Sequence, residues 1–351
     1  MERNMEKLKI GIVGAGNIAN NAHLPAYKDC KNAVPTAVCD INFERAQETA
    51  RKYGIEQVYA SVEEMLEEAD IDAVDICTWN HAHAPACIAA AKAGKHVLCE
   101  KPLALNLSQA LEMKKVVEEA GVVFMLAVPS RFGYENMYVR DMYERGELGE
   151  VYYAKTSAIR RRGTPFGWFT DHKTSGGGPV IDIGIHRIDA AWYLMGTPKP
   201  VRVSANVFHK IGDYQTKGVG RWMGTPCPDN QFDCEDSGAG VIHFENGAVM
   251  LFEASWALNA EAKEETIICG ARAGVNLEPL TIYGERNDHL STDGITVFES
   301  NNKFLLEIEH FAEHALAGDR NTKYPIEQAV QMQSMLQAIY DSAEAKKEII
   351  L

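Results

Sequence analysis

Leu8-Lys9-Ile10-Gly11-Ile12-Val13-Gly14-Ala15-Gly16-Asn17-Ile18-Ala19 decides the fold. An apolar run of strand length ends in G-x-G-x-x-A and passes into a helix-like stretch to about Lys28. Gly14 permits the tight turn, Gly16 lets a diphosphate approach the backbone, and small Ala19 allows close helix–strand packing. The amino end of the helix, at Asn17, Ile18 and Ala19, then offers unpaired N–H groups to the phosphates. Alone, such a turn often serves only to reverse the chain.

The next strand strengthens the dinucleotide reading. Val34–Cys39 is a second apolar run, and it ends in Asp40, 21 residues after Ala19. An acid at that spacing accepts hydrogen bonds from the adenosine ribose and repels a 2′-phosphate, which favours NAD over NADP. Arg45 on the next helix is placed to soften that preference. The competing role for Asp40 is to cap the helix that begins near Asn42.

The alternation continues: helices at 43–53 and 62–69, a strand at 71–77, a helix at 82–93, a strand at 96–99, a helix at 107–120 and a strand at 122–127. Strands alternating with helices imply a doubly wound parallel sheet with right-handed crossovers. Thr78, Asn80, His81 and His83 leave one strand at its carboxyl end and should edge the nicotinamide crevice, although a helix-start or surface role serves either histidine equally well. Val97-Leu98-Cys99-Glu100-Lys101-Pro102 ends the next strand, since proline lacks a donor and its φ is fixed. Lys101 is thereby presented with Glu100 at a strand's carboxyl end, where open α/β sheets keep their ligands. A lysine partly desolvated there shifts towards the range useful for proton transfer.

After Ala127 the rhythm changes. An amphipathic stretch at 134–146 leads into strand-like runs at 150–159, 201–209, 237–244, 248–256, 266–270 and 280–283. This predicts an α+β domain with a large, mostly antiparallel open sheet, one face of which needs cover, from a second subunit among other sources. Helices return at 306–317 and 326–346. The expected division is 1–127 for the nucleotide and 128–351 for substrate binding and oligomerisation, with the terminal helix packing back near the first domain.

Between two of these strands, Ser175-Gly176-Gly177-Gly178-Pro179 opens a helix that is apolar nearly all round. Asp182, His186 and Asp189 interrupt it at i, i+4 and i+7, within about 60° of one face at about 100° per residue. Burying carboxylates and an imidazole is costly unless they are paired or employed. Arg160-Arg161-Arg162 with Trp168-Phe169 offers guanidinium forks for hydroxyls and aromatic faces for a sugar ring. An equally good account makes the arginines partners of an acidic surface or of another subunit. Gly212–Asp236 is a long Gly-, Pro- and Asp-rich loop of the kind that becomes a lid or an intersubunit arm.

Composition bounds the rest. The 351 residues carry a formal charge of −14 without a long basic block, which argues against a nucleic-acid partner. The eight cysteines form no CxxC pair and read as reduced core thiols, neither a disulfide frame nor metal ligands. Met1–Lys7 is short and polar, and no apolar run approaches about 18 residues, so neither signal peptide nor membrane span is expected and the compartment is cytoplasmic.

Gly14–Ala19, Cys99-Glu100-Lys101-Pro102 and Gly176–Asp189, in that order, resemble the glucose–fructose oxidoreductase/inositol dehydrogenase/MocA (Gfo/Idh/MocA) family across almost the whole chain. The resemblance implies a Rossmann domain joined to an α/β domain with an open sheet, homodimers or homotetramers, and NAD(P)-linked oxidoreduction of sugars or cyclitols. By that likeness Lys101, Asp182 and His186 fall on the catalytic lysine, aspartate and histidine, and Asn80 and His83 on the family's Asn-x-x-His turn. Arg131, Arg160, Arg162 and Trp168 join them as expected substrate contacts. The loops at 159–169 and 253–259 look more like members that handle pyranosides and 3-keto-glycosides. Two other activities fit the same frame: a glycoside-cleaving cycle through a transient 3-keto sugar on retained NAD, and a non-enzymatic sugar- and dinucleotide-sensing regulator.

Overall fold

In a computed structural model, which describes residues 7–223, 232–295 and 300–351, the apolar runs of the first third form one parallel sheet. The expectations for Met1–Glu6, for Cys227 and for the middle of the Gly212–Asp236 loop lie outside the described residues. The chain divides into two units, residues 1–132 with 301–330, and residues 133–300 with 331–351.

The first unit contains β1 (Leu8–Val13), α1 (Leu24–Tyr27), β2 (Ala33–Cys39), α2 (Phe43–Tyr53), β3 (Gln57–Tyr59), α3 (Val62–Glu68), β4 (Ala73–Ile76), α4 (His83–Lys92), β5 (His96–Glu100), α5 (Leu107–Ala120) and β6 (Phe124–Ala127). All six strands pair in parallel, in the order β3-β2-β1-β4-β5-β6. The order reverses between β1 and β4, and that reversal opens a crevice at the carboxyl ends of the strands. The helices stop and start where local chemistry requires. Asn106 accepts from Gln109 N–H at the start of α5, and Gly121 ends it in the left-handed region at φ 67°. The segment that closes this unit returns from far along the chain: Leu126 N–H bonds Tyr324 O, and the Arg131 guanidinium bonds Lys323 O.

The second unit contains α6 (Tyr134–Glu144), β7 (Val151–Ile159), β8 (Pro165–Phe166), α7 (His172–Ser175), α8 (Ile185–Leu194), β9 (Pro200–Phe208), β10 (Trp222–Met223), β11 (Ser237–Phe244), β12 (Val249–Ser255), β13 (Lys263–Gly270), β14 (Gly274–Leu277), β15 (Leu280–Arg286) and β16 (His289–Gly294). After α9 (Lys303–Ala317) of the first unit, α10 (Ile326–Ala345) runs from the first unit into the second, which ends in β17 (Ile349–Ile350). The sheet has nine strands ordered β16-β15-β14-β13-β7-β12-β11-β9-β17, antiparallel except for β7 on β12. Its residues alternate as one covered face demands. Ala154, Met250, Phe252, Ala254 and Ile268 are buried on the side where α8 packs on β7 and β13. Tyr153, Leu251 and Ile267 on the opposite face are only half-buried. Among the described residues no helix is long and apolar enough to cross a membrane.

Candidate functional site

At the crevice of the first unit, Gly14 adopts φ +95°, and a Cβ there would lie 2.9 Å from Thr78 Cγ2 and 3.0 Å from Cys77 O. Only glycine fits where the turn after β1 lies so close to the residues that follow β4. A Cβ on Gly16 would meet nothing within 4 Å, so its backbone faces open space. Ala19 is buried, and Asn17 is exposed. The helix after the turn begins at Asn17 and Ile18, passes through a π-turn over Ala19–His23 and continues as α1. These features fit a diphosphate: a bare glycine backbone, open space above it and helix-end N–H groups beside it.

Asp40 follows β2 and is 6% exposed. Its Oδ2 accepts from Ala15 N–H at 2.8 Å and Arg45 Nε at 3.0 Å, and its Oδ1 from Asn42 N–H at 2.8 Å and Arg45 Nη2 at 2.7 Å. The carboxylate thus ties the glycine turn to the start of α2. The capping of α2 itself falls to Asn42, whose Oδ1 accepts from Arg45 N–H.

Lys101 is half-buried directly after β5, and its peptide bond to Pro102 is cis. Two side chains brace this stretch. His83 is fully buried, with Nδ1 2.7 Å from Pro102 O and Nε2 3.2 Å from Thr78 O. Burial pulls its pKa down against the opposite pull of the two carbonyls that its ring nitrogens face. His83 therefore links the loops after β4 and β5, while Asn80, 7% exposed, opens the 3₁₀ turn just before it. Glu100 braces the other side: its Oε2 accepts from Lys101 N–H at 3.0 Å, and its Oε1 lies 3.0 Å from His23 Nε2.

His23 went unnoticed in the sequence reading. It is fully buried, and its Nδ1 bonds Asp75 Oδ2 at 2.8 Å, so the ring bridges β4 to β5 through two carboxylates. Carboxylates only accept, so both ring nitrogens must carry protons. Burial opposes that charge, but Asp75 and Cys77 outweigh it and hold the His23 pKa well above its ordinary value. Burial likewise acts to raise Glu100, yet the bond and charge of His23 bring its carboxyl below the usual range. The Glu100 contribution to stability is present above its unfolded value near 4.5 and is lost as pH falls through the lowered value. That of His23 is complete below about 6.5 and is lost as pH rises through the raised value. His23→Leu would strand two buried anions and is expected to cost about 3–5 kcal/mol in urea unfolding at pH 6. A loss below 1 kcal/mol would show the bridge to be dispensable.

Arg131, expected at the substrate, lies in the interior of the first unit and is 1% exposed. Its guanidinium bonds Lys323 O at 2.9 Å and Gln328 Oε1 at 2.7 Å and stacks 3.5 Å from the Tyr324 ring centroid. It anchors the returning segment.

In the second unit, Pro179 leads into a π-turn over Val180–Gly184 that carries Asp182, and α8 then carries His186. Both side chains are half-buried, as are their neighbours Ile183 and Arg187, on a helix whose other residues are buried, and Asp189 is fully buried. Asp182 Oδ2 accepts from Trp256 Nε1 at 3.0 Å. Trp256, also missed in the sequence reading, is fully buried, and its carbonyl accepts from Gly163 N–H at 2.7 Å. It thus joins the arginine loop to Asp182. Arg160 is exposed, with Nη1 on Gly163 O at 3.3 Å, whereas Arg162 is held by Asn259 Oδ1 at 2.7 Å. Trp168 stacks on Phe169 with ring centroids 4.0 Å apart. In the long loop, Arg221 pairs with Asp213 and lies over the Tyr214 ring, which Arg162 also approaches.

A doubly wound dinucleotide fold followed by an open-sheet domain with an Asp–His helix defines an oxidoreductase. Comparison with known proteins agrees. The family described as "Oxidoreductase family, NAD-binding Rossmann fold" (GFO_IDH_MocA) matches residues 8–128, and its C-terminal alpha/beta domain matches residues 140–351. The chain belongs to the Gfo/Idh/MocA oxidoreductase family. It is 36% identical to the D-glucoside 3-dehydrogenase of Escherichia coli (strain K12) over 98% of this chain and 97% of that one. It is 30% identical to the levoglucosan dehydrogenase of Pseudarthrobacter phenanthrenivorans over 72% of this chain and 68% of the relative. A levoglucosan dehydrogenase solved in complex with NADH and L-sorbose superposes with a TM-score of 0.82 at 25% identity, covering 99% of both chains.

Proposed function

We propose that this enzyme transfers a hydride between NAD and a ring hydroxyl or ketone of a pyranose or pyranoside. The observation that carries the reading is the Asp182–His186 pair, half-buried one turn apart and tied by Trp256 to an arginine- and aromatic-bearing loop. The full-length similarity to a D-glucoside 3-dehydrogenase supports the sugar class. In the division of labour, residues 1–127 hold the dinucleotide and 128–351 the sugar.

Gly14, Gly16, Asn17, Ile18 and Ala19 would hold the diphosphate, Asp40 the adenosine ribose, and Thr78, Asn80, Glu100 and Lys101 the nicotinamide end. Bound NAD supplies the hydride acceptor. His186 takes the proton of the reacting hydroxyl as general base, because an imidazole works near neutral pH. Asp182 orients the substrate, its carboxylate held in place by the Trp256 indole. Lys101, as a cation, stabilises the alkoxide or polarises the ketone in reverse. His83 and Glu100 act behind it, by fixing the backbone on either side of Lys101. Arg160, Arg162 and Trp168 contribute contacts to the sugar.

A screen of pyranoses, glycosides, keto-sugars and inositols with NAD(H) and NADP(H), read as reduced-nicotinamide absorbance, tests this. A pyranoside should give NADH in proportion to sugar oxidised. Turnover of inositols alone would overturn the sugar class, and glycoside cleavage without added NAD would mark a retained-cofactor cycle.

NAD is preferred over NADP in this reading because Asp40 presents a negative charge where a 2′-phosphate would sit. The Arg45 fork on that carboxylate moderates the preference. Asp40→Ser should shift the NAD/NADP ratio of kcat/KM by about 10–100-fold towards NADP, roughly 1.4–2.8 kcal/mol. An unchanged ratio would remove Asp40 from the ribose site.

The half-buried face of the nine-stranded sheet mixes Tyr153, Leu251 and Ile267 with the Lys155–Glu253 and Lys155–Glu265 ion pairs. A second copy of the chain offers both an apolar band and matching charges, so the protein is a homodimer or homotetramer. Light scattering at micromolar concentration should return twice or four times 38.8 kDa. Among the described residues all seven cysteines are free thiols, six of them buried, which supports a cytoplasmic location.

A further inference from the structure

The Gly176–Pro179 loop is gripped by a carboxylate that the reaction scheme does not use. Glu235 lies in the stretch before β11 and is 7% exposed. Its Oε2 accepts from Gly178 N–H at 2.8 Å, and its Oε1 accepts from Val180 N–H at 3.2 Å and from the Tyr340 hydroxyl of α10 at 2.9 Å. The fit explains the glycines. A Cβ on Gly178 would lie 2.1 Å from Glu235 O, and one on Gly177 would lie 2.2 Å from Tyr340 Oη.

Two routes lead from this dipeptide to Asp182. Along the backbone, Gly178 O accepts from Asp182 N–H at 3.0 Å. Through the side chain, Asp236 O accepts from Trp256 N–H at 3.0 Å, and the Trp256 ring bonds Asp182 Oδ2. The Asp236 carboxylate meanwhile binds the N–H groups of Lys210, Ile211 and Gly212 at 2.5–2.8 Å, so the stretch carrying Glu235 is itself held fast.

We propose that Glu235 is a positioning residue for the oxidoreductase reaction, fixing Asp182 and the start of the His186 helix through the glycine loop. The inference rests on the proposed roles of Asp182 and His186. The titratable groups beside Glu235 are Tyr340 from α10, and Cys234 and Asp236 on its own stretch. Burial pushes its carboxyl up to about 7, against the pull of the two backbone N–H groups and Tyr340. The ionised form accepts all three bonds; protonation weakens the grip on the loop. Turnover is therefore expected to fall as pH drops through neutrality, independently of any titration of His186.

The test compares pH profiles of kcat and kcat/KM for the wild type, Glu235→Gln and Tyr340→Phe, with a ¹³C NMR titration of the wild-type glutamate carboxyls. Glu235→Gln retains one acceptor and should lower kcat about 10–100-fold, with little change in KM for NAD. Tyr340→Phe removes one donor to the carboxylate, together with the hydroxyl's own bond to the Ile181 backbone. It should move the acidic limb of kcat upward by about one pH unit while leaving the alkaline plateau in place. An NMR titration near 4.5, or an acidic limb unmoved in Tyr340→Phe, would overturn the proposal even if Glu235→Gln fails to fold. Wild-type turnover in His186→Ala would instead defeat the assignment beneath it.

Discussion

His186→Ala is expected to lower kcat by about 10²–10⁴, equivalent to roughly 2.7–5.4 kcal/mol of lost transition-state stabilisation. The reasoning starts from its setting. The helix carrying it buries Ile185, Ile188, Ala191, Trp192 and Leu194, yet leaves the imidazole half-exposed one turn after Asp182. Apolar packing alone would have favoured a hydrophobic residue there. On the proposed roles, removing the ring takes away the base, while the residues proposed to hold NAD, Gly14–Ala19 and Asp40, belong to the other unit. NAD affinity by fluorescence titration should thus stay within about twofold while single-turnover hydride transfer slows. A variant with full turnover would show that another group takes the proton.

Lys101→Met is expected to reduce kcat by about 10²–10³, because methionine keeps the length and apolar stem of the side chain but not its charge. The loss should fall on the chemical step in both directions, since a cation helps the alkoxide and the polarised ketone alike. Stability should hardly change: the clamps on this segment, Glu100 Oε2 on Lys101 N–H and His83 on Pro102 O, use backbone atoms that methionine retains. Urea midpoints distinguish the two effects. Full kcat in this variant would exclude the lysine from catalysis, whereas a fallen midpoint with normal kcat per folded molecule would give it a structural role.

The parts of this protein that can be read from the sequence are those encoded by neighbours in the chain. Leu107–Ala120 matches the expected helix because Asn106 and Gly121 mark its ends, and the G-x-G-x-x-A turn declares itself through spacing. β3 has three residues and β16 is polar and mostly exposed, so neither carries a period-2 signal. The bracing side chains were hidden for another reason. His23 lies 77 residues from Glu100, Glu235 lies 57 from Gly178 and 105 from Tyr340, and Trp256 lies 74 from Asp182. No local pattern distinguishes these residues from a surface acid or a core aromatic. Arg131, expected among the substrate contacts, is instead enclosed by distant Lys323, Tyr324 and Gln328, which no local pattern announces.

That enclosure has a consequence for biosynthesis. Arg131 and the carbonyl it binds are separated by 192 residues, so the nucleotide half cannot finish when its own strands have left the ribosome. At about 5–20 residues per second, the nascent β6 edge and a charged guanidinium wait roughly 10–40 s for their cover. Residues 133–300 of the sheet-bearing half emerge during that interval, but 331–351 follow the returning 301–330 segment, so the upstream body receives its last residues before the downstream one does.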